Sequence, residues 1–289
     1  MADQFIRDTF GGFAVCGFLS MIFYGALCIQ VYNYYSMYPR DSRPLKCLVA
    51  LTWVLDSVQQ GLLIHTFWYY LIVQANGVPA NMIKANWSLI GRLIPTEIGT
   101  CLVECYFVTR IWRLDDKKKR YLLLMIPVVV SLCAGIGYII HGYEFPAFAD
   151  AKMSLWLVTT WASTRTFADL SIATTMVWIL YRGHGQGLSN RFESLVKTII
   201  MFCLTTGLLT SVFALLVLIT YLVAPFNFTY VGMYAIYGKI FANSLLASLN
   251  SRHTLRAMVR PDANFVQMDL DMDVFESSEG TGWIEADVP

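Results

Sequence analysis

Arg165 and Asp169 stand four residues apart in STRTFADLSIATTMVWILYR, a run that is otherwise largely apolar. At that spacing two helical side chains share a face and are close enough to pair. The chemistry on offer is charge neutralisation, a polar floor for a ligand, or a proton path. Asp56, Glu97, Glu104, Arg92 and Lys239 interrupt comparable apolar runs, with His65 nearby. With the first two residues included, that is four acids against three bases. A near-balance of this kind points to mutual neutralisation.

Spacing groups these residues further. Glu97 and Glu104, seven apart, fall on nearly the same helical face, and Asp56 and Gln60 lie one turn apart. Lys239, Asn243 and Asn250 fall within about 40° of one another at 3.6 residues per turn. An ionised side chain at the centre of a bilayer span costs roughly 2.5–3.5 kcal/mol on insertion scales, so such groups turn inward and find partners. Asp56, Gln60, Glu97, Glu104, Arg165, Asp169, Lys239 and Asn243 are therefore expected to line or brace a polar cavity. Arg165 with Asp169 reads first as an intrahelical ion pair. Arg92, near the outer end of its run, is expected to snorkel to the interface.

The elements that must position these groups are apolar runs near residues 10–35, 45–74, 88–112, 121–142, 153–181, 196–223 and 230–250. Each has about 20 or more residues, enough to cross a hydrocarbon core of about 30 Å as a helix. Each is apolar nearly all round, unlike the one-sided stripe of a soluble helix. Of the 289 residues, 56% are hydrophobic and 14% charged, against roughly 25% charged in soluble domains. The expected fold is all-α: a polytopic seven-transmembrane-helix bundle over residues 1–260. The first run is too long for a signal-peptide core and follows Asp3 and Asp8 rather than a basic segment, so it is expected to remain as helix one.

Charge orients the bundle. Fifteen Lys and Arg residues fall in the loops after helices one, three and five and in the tail, against Arg7, Lys84 and Lys152 on the other side. The positive-inside rule then puts the N-terminus outside and the C-terminus in the cytosol. Two sequons, NWS at Asn86 and NFT at Asn227, fall in loops assigned outside, in keeping with a plasma or secretory-pathway membrane. Residues 261–289 carry eight acids (with Asp262) and no base, and read as a disordered cytosolic tail.

Several classes are disfavoured. The histidines, His65, His141, His184 and His253, have no metal-ligand spacing, and no G-x-S-x-G, P-loop or H-E-x-x-H occurs. Cys101 and Cys105 share a face without partner histidines and read as packing residues. Lys239 occupies the middle of helix seven, where retinal proteins form a Schiff base, but Ala235 stands one turn before it in place of an aspartate. No enzyme activity, metal, cofactor or nucleic-acid partner is expected.

LKCLVALTWVLDSVQQGLLIHTFWYYLI, TTGLLTSVFALLVLITYLVAP and GKIFANSLLASLNSR resemble a basidiomycete family of seven-helix membrane proteins known only as a domain of unknown function. The similarity is densest from Asp169 to Arg252, with Thr206–Ser211 and Asn243–Leu246 its most specific pieces. The resemblance implies a fungal seven-helix bundle and brings no catalytic residues. The helix-three end VTRIWRLDD and the absence of N-P-x-x-Y on helix seven set the chain apart from G-protein-coupled receptors.

The leading expectation is a receptor-like protein whose polar cavity senses a small ligand, with basic inner loops and acidic tail facing a cytosolic protein. A proton-coupled carrier using the intramembrane carboxylates is the alternative, and a structural membrane scaffold the third reading.

Overall fold

The computed structural model describes residues 2–73, 85–115, 119–146, 153–183, 190–223 and 228–259. The tail 261–289, the sequon at Asn227, His184, Lys84, Lys152, and Lys117 and Lys118 of the basic run lie outside the described residues. Among the described residues the chain is entirely helical in its regular structure. Seven long helices are present: α1 (Ala2–Met37), α2 (Arg43–Trp68), α4 (Leu93–Leu114), α5 (Met125–Glu144), α6 (Leu155–Gly183), α7 (Asn190–Val223) and α8 (Thr229–Val259). A single-turn helix, α3 (Trp87–Gly91), precedes α4.

Proline sets several starts. Pro44 occupies the first turn of α2, where a missing N–H is harmless. The run at 88–112 divides at Arg92, between α3 and α4. Pro95 has no N–H to offer the Gly91 carbonyl one turn back, so the helix breaks there and restarts. Pro127 sits in the first turn of α5, preceded by a 3-10 turn at Lys119–Leu124. None of these three prolines breaks the middle of a long helix.

Three helical stretches are long and apolar enough to cross a membrane: Gly11–Met37, Arg43–Trp68 and Tyr121–Glu144. Gly207–Val223 adds a shorter one. α4, α6 and α8 carry Glu97, Glu104, Arg165, Asp169 and Lys239, which dilute their hydropathy and are buried. Arg92, Arg165 and Lys239 are wholly buried, and Glu97, Glu104 and Asp169 nearly so. Phe18, Leu123 and Phe167, by contrast, are each about two-thirds exposed. A soluble bundle has the opposite distribution. Charge inside and oil outside is consistent with a membrane helical bundle.

Candidate functional site

α4 presents Glu97 and Glu104 on one face, and α6 sets Arg165 against both. Arg165 Nη2 donates to Glu97 Oε2 at 2.7 Å, and Nη1 donates to Glu104 Oε2. Tyr234 of α8 donates its hydroxyl to the other Glu97 oxygen at 2.6 Å. Three helices are thus tied at one carboxylate. Gly135 of α5 makes room for it, because a Cβ there would stand 2.8 Å from Glu97 Cδ.

The expected Arg165–Asp169 pair is not formed. A helical side chain leans towards the N-terminus of its helix, so Arg165 reaches back, away from a residue one turn later. Acid before base is the favourable order for an i, i+4 pair, and here the base comes first. Asp169 instead joins Glu104, Thr210 and Ser244 around a cavity of about 40 Å³. Its Oδ2, like Glu104 Oε1, has no hydrogen-bond partner.

Another ion pair crosses from α8 to α2. Lys239 Nζ donates to Asp56 Oδ2 at 2.8 Å and lies 5.0 Å from the Tyr24 ring centroid. Asp56 also borders a cavity of about 20 Å³ between α2, α4 and α8. Gln60 accepts from Ser20 at 3.3 Å. Asn243 ties α8 to α1, accepting from Gln30 at 2.9 Å and donating to the Phe23 carbonyl at 3.1 Å. The eight polar residues do not share any one of the three described cavities. Glu97 borders one cavity, Glu104 and Asp169 a second and Asp56 a third, while Gln60, Arg165, Lys239 and Asn243 line none of these three.

Arg92 does not snorkel. The break between α3 and α4 turns it inward, where Nη2 donates to the Val231 carbonyl at 2.7 Å. Its guanidinium carbon lies 5.9 Å from the Phe13 ring centroid. Nε and Nη1 have no partner. Arg92 and Glu97 line a cavity of about 100 Å³ whose walls include Tyr138, Trp161, Tyr230 and Tyr234. Ala85 and Pro146, joined by a 2.7 Å backbone hydrogen bond, stand at the end of this cavity that carries the α2–α3 and α5–α6 connections. This is the largest of the three cavities, and it combines a buried cation with aromatic walls.

The profile of a family of unknown function, DUF6534, matches residues 165–254. No curated protein and no solved structure matches the chain. The matched segment supplies the cations of the three ion pairs just described, Arg165 and Lys239. Their acids, Glu97, Glu104 and Asp56, all lie before it. The segment also holds Gly207, where a Cβ would come 2.7 Å from that of Ala173, and Gly238, where one would come 2.8 Å from Thr96 Cγ2. These residues bring α7 against α6 and α8 against α4.

Sequence reasoning missed Tyr234 and Gly135, and set Arg92 at the interface rather than in the interior. Tyr230, Tyr234 and Tyr237 recur at helical spacing, a signal of one aromatic face on α8. Nothing in the spacing alone identifies Gly135 as the residue that admits the Glu97 carboxylate.

Proposed function

We propose that this chain is a multi-pass, seven-span membrane protein of receptor-like type, binding a small molecule in the Arg92–Glu97 cavity. The orientation that basic loops favour puts the N-terminus outside, and the α2–α3 and α5–α6 connections then mark the outer end. A molecule reaching the cavity by that end would come from outside the cell or from the secretory lumen. The observation carrying this reading is the position of Glu97, which lines the cavity and holds Arg165 of α6 and Tyr234 of α8. A molecule touching Glu97 or Tyr234 acts on α4, α6 and α8 together. Unequal contacts in two arrangements of those helices would bias the bundle towards one of them. The basic inner loops and acidic tail would present the result to a cytosolic protein. No catalytic step is part of this reading.

The test is recruitment. Full-length protein in nanodiscs, incubated with cytosolic extract and fractionated small molecules, should retain a cytosolic protein only when an active fraction is present. Retention should be lost in Glu97→Gln. Retention that ignores every fraction would end the receptor reading.

A second reading, a proton-coupled carrier, is favoured by the unpartnered Glu104 Oε1 and Asp169 Oδ2, two neighbouring buried carboxylates around one small cavity. Proteoliposomes under a pH gradient should then show flux that Glu104→Gln abolishes. Tightly held gradients alongside ligand-dependent recruitment would decide for the receptor.

A further inference from the structure

We infer that Arg92 is the anchor for a carboxylate, and that the outer cavity takes a compact organic acid with an aromatic or branched apolar body. This deepens the receptor-like reading and rests on that cavity being a ligand site. A guanidinium remains charged under all ordinary conditions and has five donor hydrogens. Arg92 is wholly buried, yet its one hydrogen bond goes to a neutral carbonyl, that of Val231, and Nε and Nη1 are unpartnered. Among the described residues no carboxylate lies within 4.0 Å of it. Glu97, the acid lining the same cavity, has each oxygen engaged, one by Arg165 and the other by Tyr234. A buried, unpaired cation is strongly unfavourable, so the site calls for an acceptor that brings negative charge. A planar carboxylate offers two acceptor oxygens and matches the guanidinium fork.

The same surroundings limit the ligand. Glu97 is paired with Arg165, and among the described residues Arg92 is the one Lys or Arg lining the cavity, so one positive charge there is left without a counter-ion. A monoanion fits that balance and a phosphate dianion does not. Tyr138, Trp161 and Val158 supply aromatic and aliphatic walls, which call for an apolar body. On this measure a water needs roughly 10–15 Å³. A cavity of about 100 Å³ therefore has room for roughly seven to ten water-sized groups, which favours a compact acid over a long lipid chain.

The experiment is calorimetric titration of the full chain in nanodiscs with 3-phenylpropionate, its neutral amide 3-phenylpropionamide, and palmitate. Saturable binding of 3-phenylpropionate is expected, with the amide weaker by about tenfold or more, the worth of a charged hydrogen bond. Arg92→Gln should lose affinity for the acid by a similar factor without affecting the amide. Val158→Phe narrows the cavity from α6, leaves Arg92 in place, and should abolish binding of both compounds. It keeps the test decisive if Arg92→Gln fails to fold. Palmitate binding that needs Arg92 would support the anchor and assign the acid to a lipid source. Equal affinity for acid and amide, or wild-type affinity in Arg92→Gln, would overturn the carboxylate assignment while leaving the cavity as a ligand site. The absence of saturable binding by either acid would overturn the anchor itself, with Arg92 then satisfied by water.

Discussion

Lys239 of α8 holds Asp56 of α2 twice, through Oδ2 at 2.8 Å and through the backbone carbonyl at 3.2 Å. One ammonium therefore fixes both the side chain and the main chain of the opposing helix. With Asn243 bonded to Gln30 and Phe23 one turn later, it pins α8 to α2 and α1 at neighbouring depths.

Removing one member of that pair strands the other. Asp56→Ala should destabilise the protein by about 3–5 kcal/mol, the usual consequence of leaving a buried charge alone. The double change Asp56→Leu/Lys239→Met removes both charges and should lose less. A melting series in one detergent compares the two. A double variant less stable than Asp56→Ala would refute mutual neutralisation here.

Arg165 serves Glu97 and Glu104, so its loss leaves two buried carboxylates without their cation. Arg165→Met should lower the melting temperature far more than Asp169→Asn, which leaves every Arg165 contact intact and removes a carboxylate oxygen that has no partner. Asp169→Asn is expected to be neutral or mildly stabilising. Comparable losses from the two substitutions would restore Asp169 as a partner of Arg165.

The helices were legible because an apolar run of about 20 residues has few other fates. The inward turn of Glu97, Glu104, Arg165 and Lys239 was legible for the same reason, since lipid rejects charge. Partner choice was not. Sequence spacing compares residues on one helix, whereas Arg165 found its acids on another, by leaning back along α6 towards whatever α4 presented. Arg92 was misjudged because its direction depends on the break that Pro95 imposes between α3 and α4, not on its distance from the end of the run. The division of Glu97, Glu104, Asp169 and Asp56 among three cavities was not legible either, because depth along an axis cannot be read from angle around it.

The two sequons should behave differently. Asn86 opens α3, its side-chain amide donates to Ser88 Oγ at 3.2 Å, and Ser88 is wholly buried beside Thr66. A glycan there would have to displace those contacts. Asn86→Gln should leave gel mobility after endoglycosidase unchanged, while Asn227→Gln should remove any shift the enzyme produces. A shift that disappears with Asn86→Gln would mean that α3 forms only after modification, or that its start is more exposed than these bonds imply.

Gly207 of α7 faces Ala173 of α6 so closely that a Cβ on the glycine would lie 2.7 Å from the alanine's own. Helices in lipid gain little from apolar contact as such and depend on close backbone approach, which small residues permit. Gly207→Ala should therefore destabilise by about 1–3 kcal/mol, the usual range for overpacking. This is despite the better helix propensity of alanine. Ala173→Gly alone should cost about 1 kcal/mol through propensity. Combined, the two exchange the small and the larger residue across one contact, and the double variant should be more stable than the sum of the single losses predicts. A double-mutant cycle in the same detergent measures that coupling. Strict additivity would mean that α6 and α7 do not approach at this point, and Gly207 would then need another explanation.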